Sequence, residues 1–376
     1  MKNLKKILFL LSLSEKKRAV LLLGMILIMA LIDMLGVASI LPFMAVLTNP
    51  NLIETNMLLN NTFKAANAIG IETTRQFIFG LGLIVFVLLI VSLVIKAFTT
   101  YLQTLFITMR EYSIGKRLVE GYLNQPYSWF LNRHSADIGK NILSEVSAVV
   151  SGGIKTIIDL LAHSFIAIML LTLLLFVDYK VVLIVGFTIS LAYGLIFLFT
   201  SNYLKQIGHQ RLKANQMRFT NINEAFGASK EIKVGNLEKI FTQNFGKSAK
   251  LFHDYQSSSK FIVALPRFAL EGIAFGSMLL VVLYLLITKN NNFAIIIPII
   301  ALFALAGYRL MPAIQIIYNS ISVMRYNSPA IESLYDEFNN LKPIIKKDFK
   351  KNINLKKTIS LNQIYFNYPN SSKNAL

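Results

Sequence analysis

The 376-residue chain is 55% hydrophobic, carries 38 Lys and Arg against 19 Asp and Glu for a formal net charge of +19, and has no cysteine. That excludes disulfides, thiolate metal sites and a cysteine nucleophile. The apolar share exceeds the roughly 45–50% usual in soluble domains, and several apolar runs pass the ~18 residues a helix needs to cross a bilayer. The chain therefore reads as an all-α polytopic membrane protein. The excess positive charge lies between the apolar runs, where positive-inside loops that touch anionic lipid account for it. No nucleic-acid motif accompanies it, so no nucleic-acid partner is expected. His134, His163, His209 and His253 are scattered without ligand spacing, so no metal is expected.

Residues 1–18 open with Lys2, Lys5 and Lys6 and an apolar stretch. The charged Glu15-Lys16-Lys17-Arg18 that follows argues against a cleaved signal and for an amphipathic helix on the cytoplasmic face. Residues 19–326 hold six predicted spans, at about 19–47, 77–107, 154–177, 181–203, 261–288 and 293–324. Pro42 is expected to kink the first. Asp33 lies inside that span, where a hydrogen bond to a neighbouring helix accounts for it better than a substrate role. Residues 48–75 form a polar external segment with a short amphipathic helix. Asp178-Tyr179-Lys180 is the whole connection between spans three and four, which predicts a tight helical hairpin.

Segments 110–155 and 205–260 are rich in Lys and Arg, whereas the opposite loops carry only Lys64, Arg75, Lys180 and Lys289. Both termini are therefore expected in the cytoplasm. Residues 109–125 and 208–252 have helix-compatible patterns. They read as spans continuing into the cytoplasm, with reversals punctuated by Pro126 and Gly139 and by Gly227 and Gly235. Residues 327–357 read as a polar helix and a basic linker. In 358–376, Ile359-Ser360-Leu361 and Ile364-Tyr365-Phe366-Asn367-Tyr368 read as strand, the expected start of a second domain.

Three cations lie deep within the spans: Lys96, Arg267 and Arg309. The first arginine sits in Ala264-Leu265-Pro266-Arg267 with Glu271 one turn on, the second in Gly307-Tyr308-Arg309-Leu310-Met311-Pro312. A guanidinium stays charged and costs roughly 2.5–3.5 kcal/mol inside a span, which makes it a functional candidate. Counted from the outer ends of their spans, all three fall at a depth of about 24–32 Å. A ring of cations at one depth suits a pyrophosphate head group. The competing readings are snorkelling to lipid phosphate and an i,i+4 pair between Arg267 and Glu271. Asp159 and His163 share that spacing and read as a structural hydrogen bond before a proton relay.

Longer stretches carry a family resemblance. Asn124-Gln125-Pro126-Tyr127-Ser128-Trp129-Phe130, then Asp137-Ile138-Gly139-Lys140 and Glu145, resembles the first cytoplasmic loop of ATP-binding cassette (ABC) exporters. Ile222-Asn223-Glu224-Ala225-Phe226, then Lys230-Glu231-Ile232-Lys233-Val234, resembles the second. The wording around Arg267 and Arg309 is similar to bacterial flippases of lipid-linked oligosaccharides used in protein N-glycosylation. The resemblance implies an exporter fold of six long helices with cytoplasmic extensions, working as a homodimer in the bacterial plasma membrane. Its cargo would be an anionic lipid-linked oligosaccharide bound at Arg309, Arg267 and Lys96. Pro126, Trp129 and Phe130, with Ile232, Val234 and Leu237, would couple to a nucleotide-binding domain, and Tyr368 would stack on adenine. ATP and Mg would serve the full-length protein. This chain has no G-x-x-x-x-G-K-[ST] loop and is not expected to bind them fully or to hydrolyse ATP alone. The alternatives are an exporter of peptide, drug or other lipid, or a remnant or partner subunit without its own ATPase.

Overall fold

The computed structural model describes residues 2–67, 70, 73–131, 133–288, 293–341, 358, 360 and 362–365. Every regular element among them is helical. Six helical segments among them are long and apolar enough to cross a membrane, and the chain is a multi-pass membrane protein.

Ser12 separates the first two helices, α1 (Lys2–Leu10) and α2 (Leu13–Ala38). Its hydroxyl accepts from the Glu15 backbone N–H, and the Glu15 carboxylate accepts from the Ser12 N–H. This capping box satisfies two otherwise orphaned donors. The helix expected over residues 1–18 is thus split at residues 11–12. It also does more than lie on lipid, because Ile7 and Leu10 are fully buried in protein. α1 packs on α15 (Ser328–Asn340). Asn3 donates to Ser328 Oγ at 3.0 Å, Phe9 meets Tyr335 edge-on, and Lys6 pairs with Glu332. The Lys6 ammonium bond holds the Glu332 carboxyl below its ordinary range.

The first span breaks at Ser39, before α3 (Ile40–Thr48), rather than at Pro42 itself. Pro42 has no N–H for the Ala38 carbonyl and its ring crowds that oxygen, so the disruption falls one turn upstream. The polar segment beyond folds into α4 (Leu52–Thr55) and α5 (Met57–Asn67). Ile53 and Phe63 cap Val46 and Phe77, the two rings meeting edge-on at 5.1 Å.

α6 (Thr74–Leu123) is one helix of 50 residues. At 1.5 Å per residue it is about 75 Å long, against a hydrocarbon core of about 30 Å. The predicted extensions of the spans are therefore continuous helix. At the first reversal, α6 stops before Pro126 and gives way to α7 (Tyr127–Leu131) and α8 (Ser135–Lys140). Gly139 does not punctuate it. Gly139 lies inside α8, which continues through two wide π-helical turns, Asn141–Glu145 and Val150–Ile154, on either side of α9 (Val146–Val149), and then into α10 (Lys155–Val177).

Asp178 caps the next helix, α11 (Tyr179–Gly227), by accepting from the N–H groups of Lys180 and Val181. That cap makes the expected hairpin. At the second reversal α11 ends at Gly227 and α12 (Ser229–Gly235) crosses over. The left-handed residue that stops α12 is Asn236, φ 52°, one position after the predicted Gly235. The chain then runs back through α13 (Glu238–Thr288) and α14 (Phe293–Tyr326).

The two largest apolar cores join most of the bundle. One joins Met29, Val37, Leu170, Leu174, Leu302 and Leu310 of α2, α10 and α14. The other, nearer the reversals, joins α1, α6, α10 and α15 through Leu10, Ile114, Leu118, Ile154, Ile331 and Leu334. α11 and α13 pack mainly on each other and leave Phe187, Phe199, Phe275 and Leu280 exposed, as befits faces that meet lipid or another protein chain. The strand expected across 359–368 falls largely outside the described residues, as does the linker over 342–357. Ile364 and Tyr365 are described, exposed and outside regular structure.

Gly208 is where α11 passes closest to the α14–α15 junction. A Cβ there would lie 2.1 Å from the Tyr326 carbonyl oxygen. Gly208→Ala is expected to force the helices apart and cost about 1–3 kcal/mol, read as a lowered unfolding temperature in detergent. Gly186→Ala, which meets nothing within 4 Å, is the control expected to leave it unchanged.

Candidate functional site

Asp33, Ser92 and Arg309 meet inside the bundle. They come from α2, α6 and α14, and Asp33 and Ser92 are 3% and 2% exposed. Ser92 Oγ donates to Asp33 Oδ1 at 2.8 Å, Arg309 Nη1 donates to Ser92 Oγ at 3.2 Å, and the same nitrogen pairs with Asp33 Oδ1. A charge inside a span must be answered by a partner or reach water, and Arg309 is answered here. The expected bond from Asp33 to a neighbouring helix is present, and its partners are Ser92 and Arg309. Residue patterns give no sign of this pairing, because the two charged groups are 276 positions apart in the chain.

Ser92 and Lys96 are spaced i,i+4 on α6, so they share a helix face. Lys96 is exposed and close enough to act electrostatically on His163 of α10. The structure thus brings Lys96 within one turn of the Arg309 site. Arg267 is also exposed, and its Nε donates to Glu271 Oε1 at 3.1 Å, the i,i+4 pair weighed from the sequence. On α10, His163 Nδ1 bonds the Asp159 backbone carbonyl at 2.9 Å, while the Asp159 carboxylate takes Lys155 at 2.7 Å. The two side chains do not join into a relay.

At the first reversal the aromatic residues divide. Pro126 and Tyr127 are exposed. Trp129 turns inward, with its ring 5.3 Å from Tyr122 and 5.0 Å from Phe130, and with the Arg133 guanidinium 4.3 Å above it. Arg133 in turn pairs with Glu337 of α15. Trp129 and Phe130 are half-buried against residues of the chain itself, while Tyr127 and Leu131 of the same reversal are the exposed apolar groups. At the second reversal Ile232 is buried, Leu237 covers Gly235, and Val234 and Phe226 are exposed. Tyr368 lies outside the described residues.

Between these ends a second buried polar cluster joins α11 to the first π-helical turn. Arg211 Nη2 donates to Glu145 Oε2 at 2.9 Å, and Asn215 Nδ2 donates to Glu145 Oε1 at 2.7 Å. Arg218 adds a bond to Asn215 Oδ1 at 2.7 Å and lies over the Phe252 ring. Glu145 is 1% exposed and Arg211 5%. The wide turn changes the helical phase where Glu145 has to face α11.

A family model described as the ABC transporter transmembrane region matches residues 19–309. The match takes in every spanning charge discussed above and both reversals. The chain belongs to the transmembrane region of ABC transporters, and its six long helices give it exporter architecture.

Glu145→Gln leaves Arg211 buried beside a neutral amide, with an expected loss of about 3–5 kcal/mol. The double replacement Glu145→Leu with Arg211→Met is expected to recover much of that loss, and a double-mutant cycle in thermal unfolding checks both. Trp129 is the only tryptophan, so its fluorescence reports the first reversal alone. Glu337→Gln is expected to loosen Arg133 from α15 and red-shift that emission.

Proposed function

We propose that this chain is the membrane half of an ATP-driven flippase that moves an anionic lipid-linked oligosaccharide, or a related lipid, from the inner to the outer leaflet. The observation that carries the reading is the placement of Lys96 one helical turn from the Ser92–Arg309 contact, on a span whose other apolar faces are exposed. One exposed ammonium and a guanidinium at its edge offer two cations to a phosphate or pyrophosphate, while the lipid tail stays in the bilayer. Arg267 adds a third cation on a lipid-accessible helix, tempered by Glu271.

The working unit is two copies of the chain in a bacterial plasma membrane, with both termini in the cytoplasm. Nucleotide-binding domains would dock at the reversals through Tyr127, Leu131, Val234 and Phe226. ATP and Mg would act in those domains. ATP binding favours the outward-open state only to the extent that it binds that state more tightly, and hydrolysis resets the equilibrium. The Arg267–Glu271 pairing supports a second reading, with a peptide, drug or less anionic lipid as cargo, because it lowers the net positive charge presented there.

The test uses the transporter assembled with its nucleotide-binding domains. Arg309→Gln and Arg267→Gln are expected to abolish flipping of lipid-linked oligosaccharide while ATP hydrolysis stays measurable. Flipping that survives both changes overturns the head-group reading. Stimulation of ATPase activity by peptides or drugs, with no competition from lipid-linked sugars, favours the second reading.

A further inference from the structure

We infer that Asp33 is a resident counter-ion that occupies the Arg309 guanidinium when no cargo is present and is exchanged for the cargo's phosphate. The inference rests on the head-group reading above and assigns it a residue with the charge of the cargo itself.

The geometry of the pair is one-sided. Asp33 and Ser92 both engage Nη1 of Arg309. A guanidinium has five N–H donors in a planar fork, and among the described residues no bond to Nη2 or Nε is found. The Arg309 side chain keeps 14% exposure against 4% for Asp33. The carboxylate therefore holds one prong from inside the bundle, while the rest of the fork remains for a second acceptor. Arginine grips phosphate best through two parallel N–H bonds, and a lipid pyrophosphate can supply both acceptors where a carboxylate held on one oxygen does not.

Ser92 makes the exchange feasible. Its hydroxyl donates to Asp33 Oδ1 and accepts from Arg309. When the guanidinium turns towards phosphate, the carboxylate keeps the hydroxyl bond instead of being stranded. A bare arginine facing the lipid phase would be costly in the empty state and would hold a di-anion too tightly to release it. A carboxylate that competes for the same nitrogen removes both difficulties. It neutralises the empty site and returns to the arginine as cargo leaves. Lys96, one turn along α6 and exposed, has no carboxylate partner among the described residues and serves as the fixed cation.

The test measures affinity for polyprenyl pyrophosphate in nanodiscs, with inorganic pyrophosphate as soluble competitor, in the transporter carrying its nucleotide-binding domains. Asp33→Asn keeps the shape and a Ser92 acceptor but removes the competing charge. It is expected to tighten binding about tenfold, to enlarge the ligand-induced rise in unfolding temperature, and to slow turnover because release becomes harder. Asp33→Glu is expected to behave as wild type. A purely structural tie predicts the reverse, namely lower stability with affinity unchanged or weaker, and that result overturns the inference. If Asp33→Asn does not fold, Ser92→Ala decides. It leaves the carboxylate more dependent on Arg309 and is expected to weaken binding several-fold, and unchanged or tighter binding overturns the inference. Competition by inorganic pyrophosphate as potent as that of the lipid would mean that the site reads free phosphate and not a lipid head group. If wild type does not bind polyprenyl pyrophosphate, the head-group reading fails and this inference with it. If wild type binds and Arg309→Gln weakens binding but Asp33→Asn does not strengthen it, only the counter-ion role fails.

Discussion

The charge on Arg309 cannot be left unanswered inside an apolar bundle, and much of the spanning architecture follows from how it is answered. Asp33 and Ser92 reach it from two other helices, so α2, α6 and α14 are tied at one point by bonds that cannot be exchanged for water. The surrounding contacts are Leu, Ile, Val and Ala packing, which in lipid gives little preference for one helix arrangement over another. A polar contact between specified atoms supplies that preference. Among the described residues α11 is hydrogen-bonded to α14 only near its inner end, where Arg325 Nε donates to the Ser201 carbonyl at 3.4 Å. α11 and α13 pack on each other, and their apolar outer faces are open.

Outside the apolar zone the same problem is solved differently. Long helices that continue past the membrane lose the lipid that confines them and need contacts of their own. The Glu145–Arg211–Asn215 cluster provides these between the first reversal and α11, and Gly208 allows the close approach beside it. α1 and the Arg133–Glu337 pair fix α15 against the first reversal. A displacement at α7 would therefore meet α15 and, through it, α1 before it met the spans. That is a mechanically sensible order in an exporter, where movement at the reversals has to reach the membrane through rigid elements.

The wide π-helical turns between α8 and α10 belong to this arrangement. Each wide turn shifts the helical phase, and across them the helix presents Glu145 to α11 and Val149, Val150 and Ile154 to the α1–α15 core. Two adjacent wide turns make that shift without breaking the helix.

By itself the sequence determined the six long helices and the regions where they reverse. The apolar runs, the short Asp178-Tyr179-Lys180 connection, Pro126 and Gly227 are local signals, and local backbone and hydration physics reads them directly. It also identified Lys96, Arg267 and Arg309 as charges out of place, and the i,i+4 pair of Arg267 with Glu271 was legible because both groups lie on one helix. Partners from different helices were decided only by tertiary structure: Asp33 for Arg309, Arg211 for Glu145, Glu337 for Arg133. The inward turn of Trp129 and the harmless place of Gly139 inside a helix were decided there too. The physical reason is that a charge in a span announces its cost through its own residue type, whereas the group that offsets the cost depends on which helices pack side by side and in what rotation. That choice belongs to the assembled bundle and leaves no periodic trace along the chain.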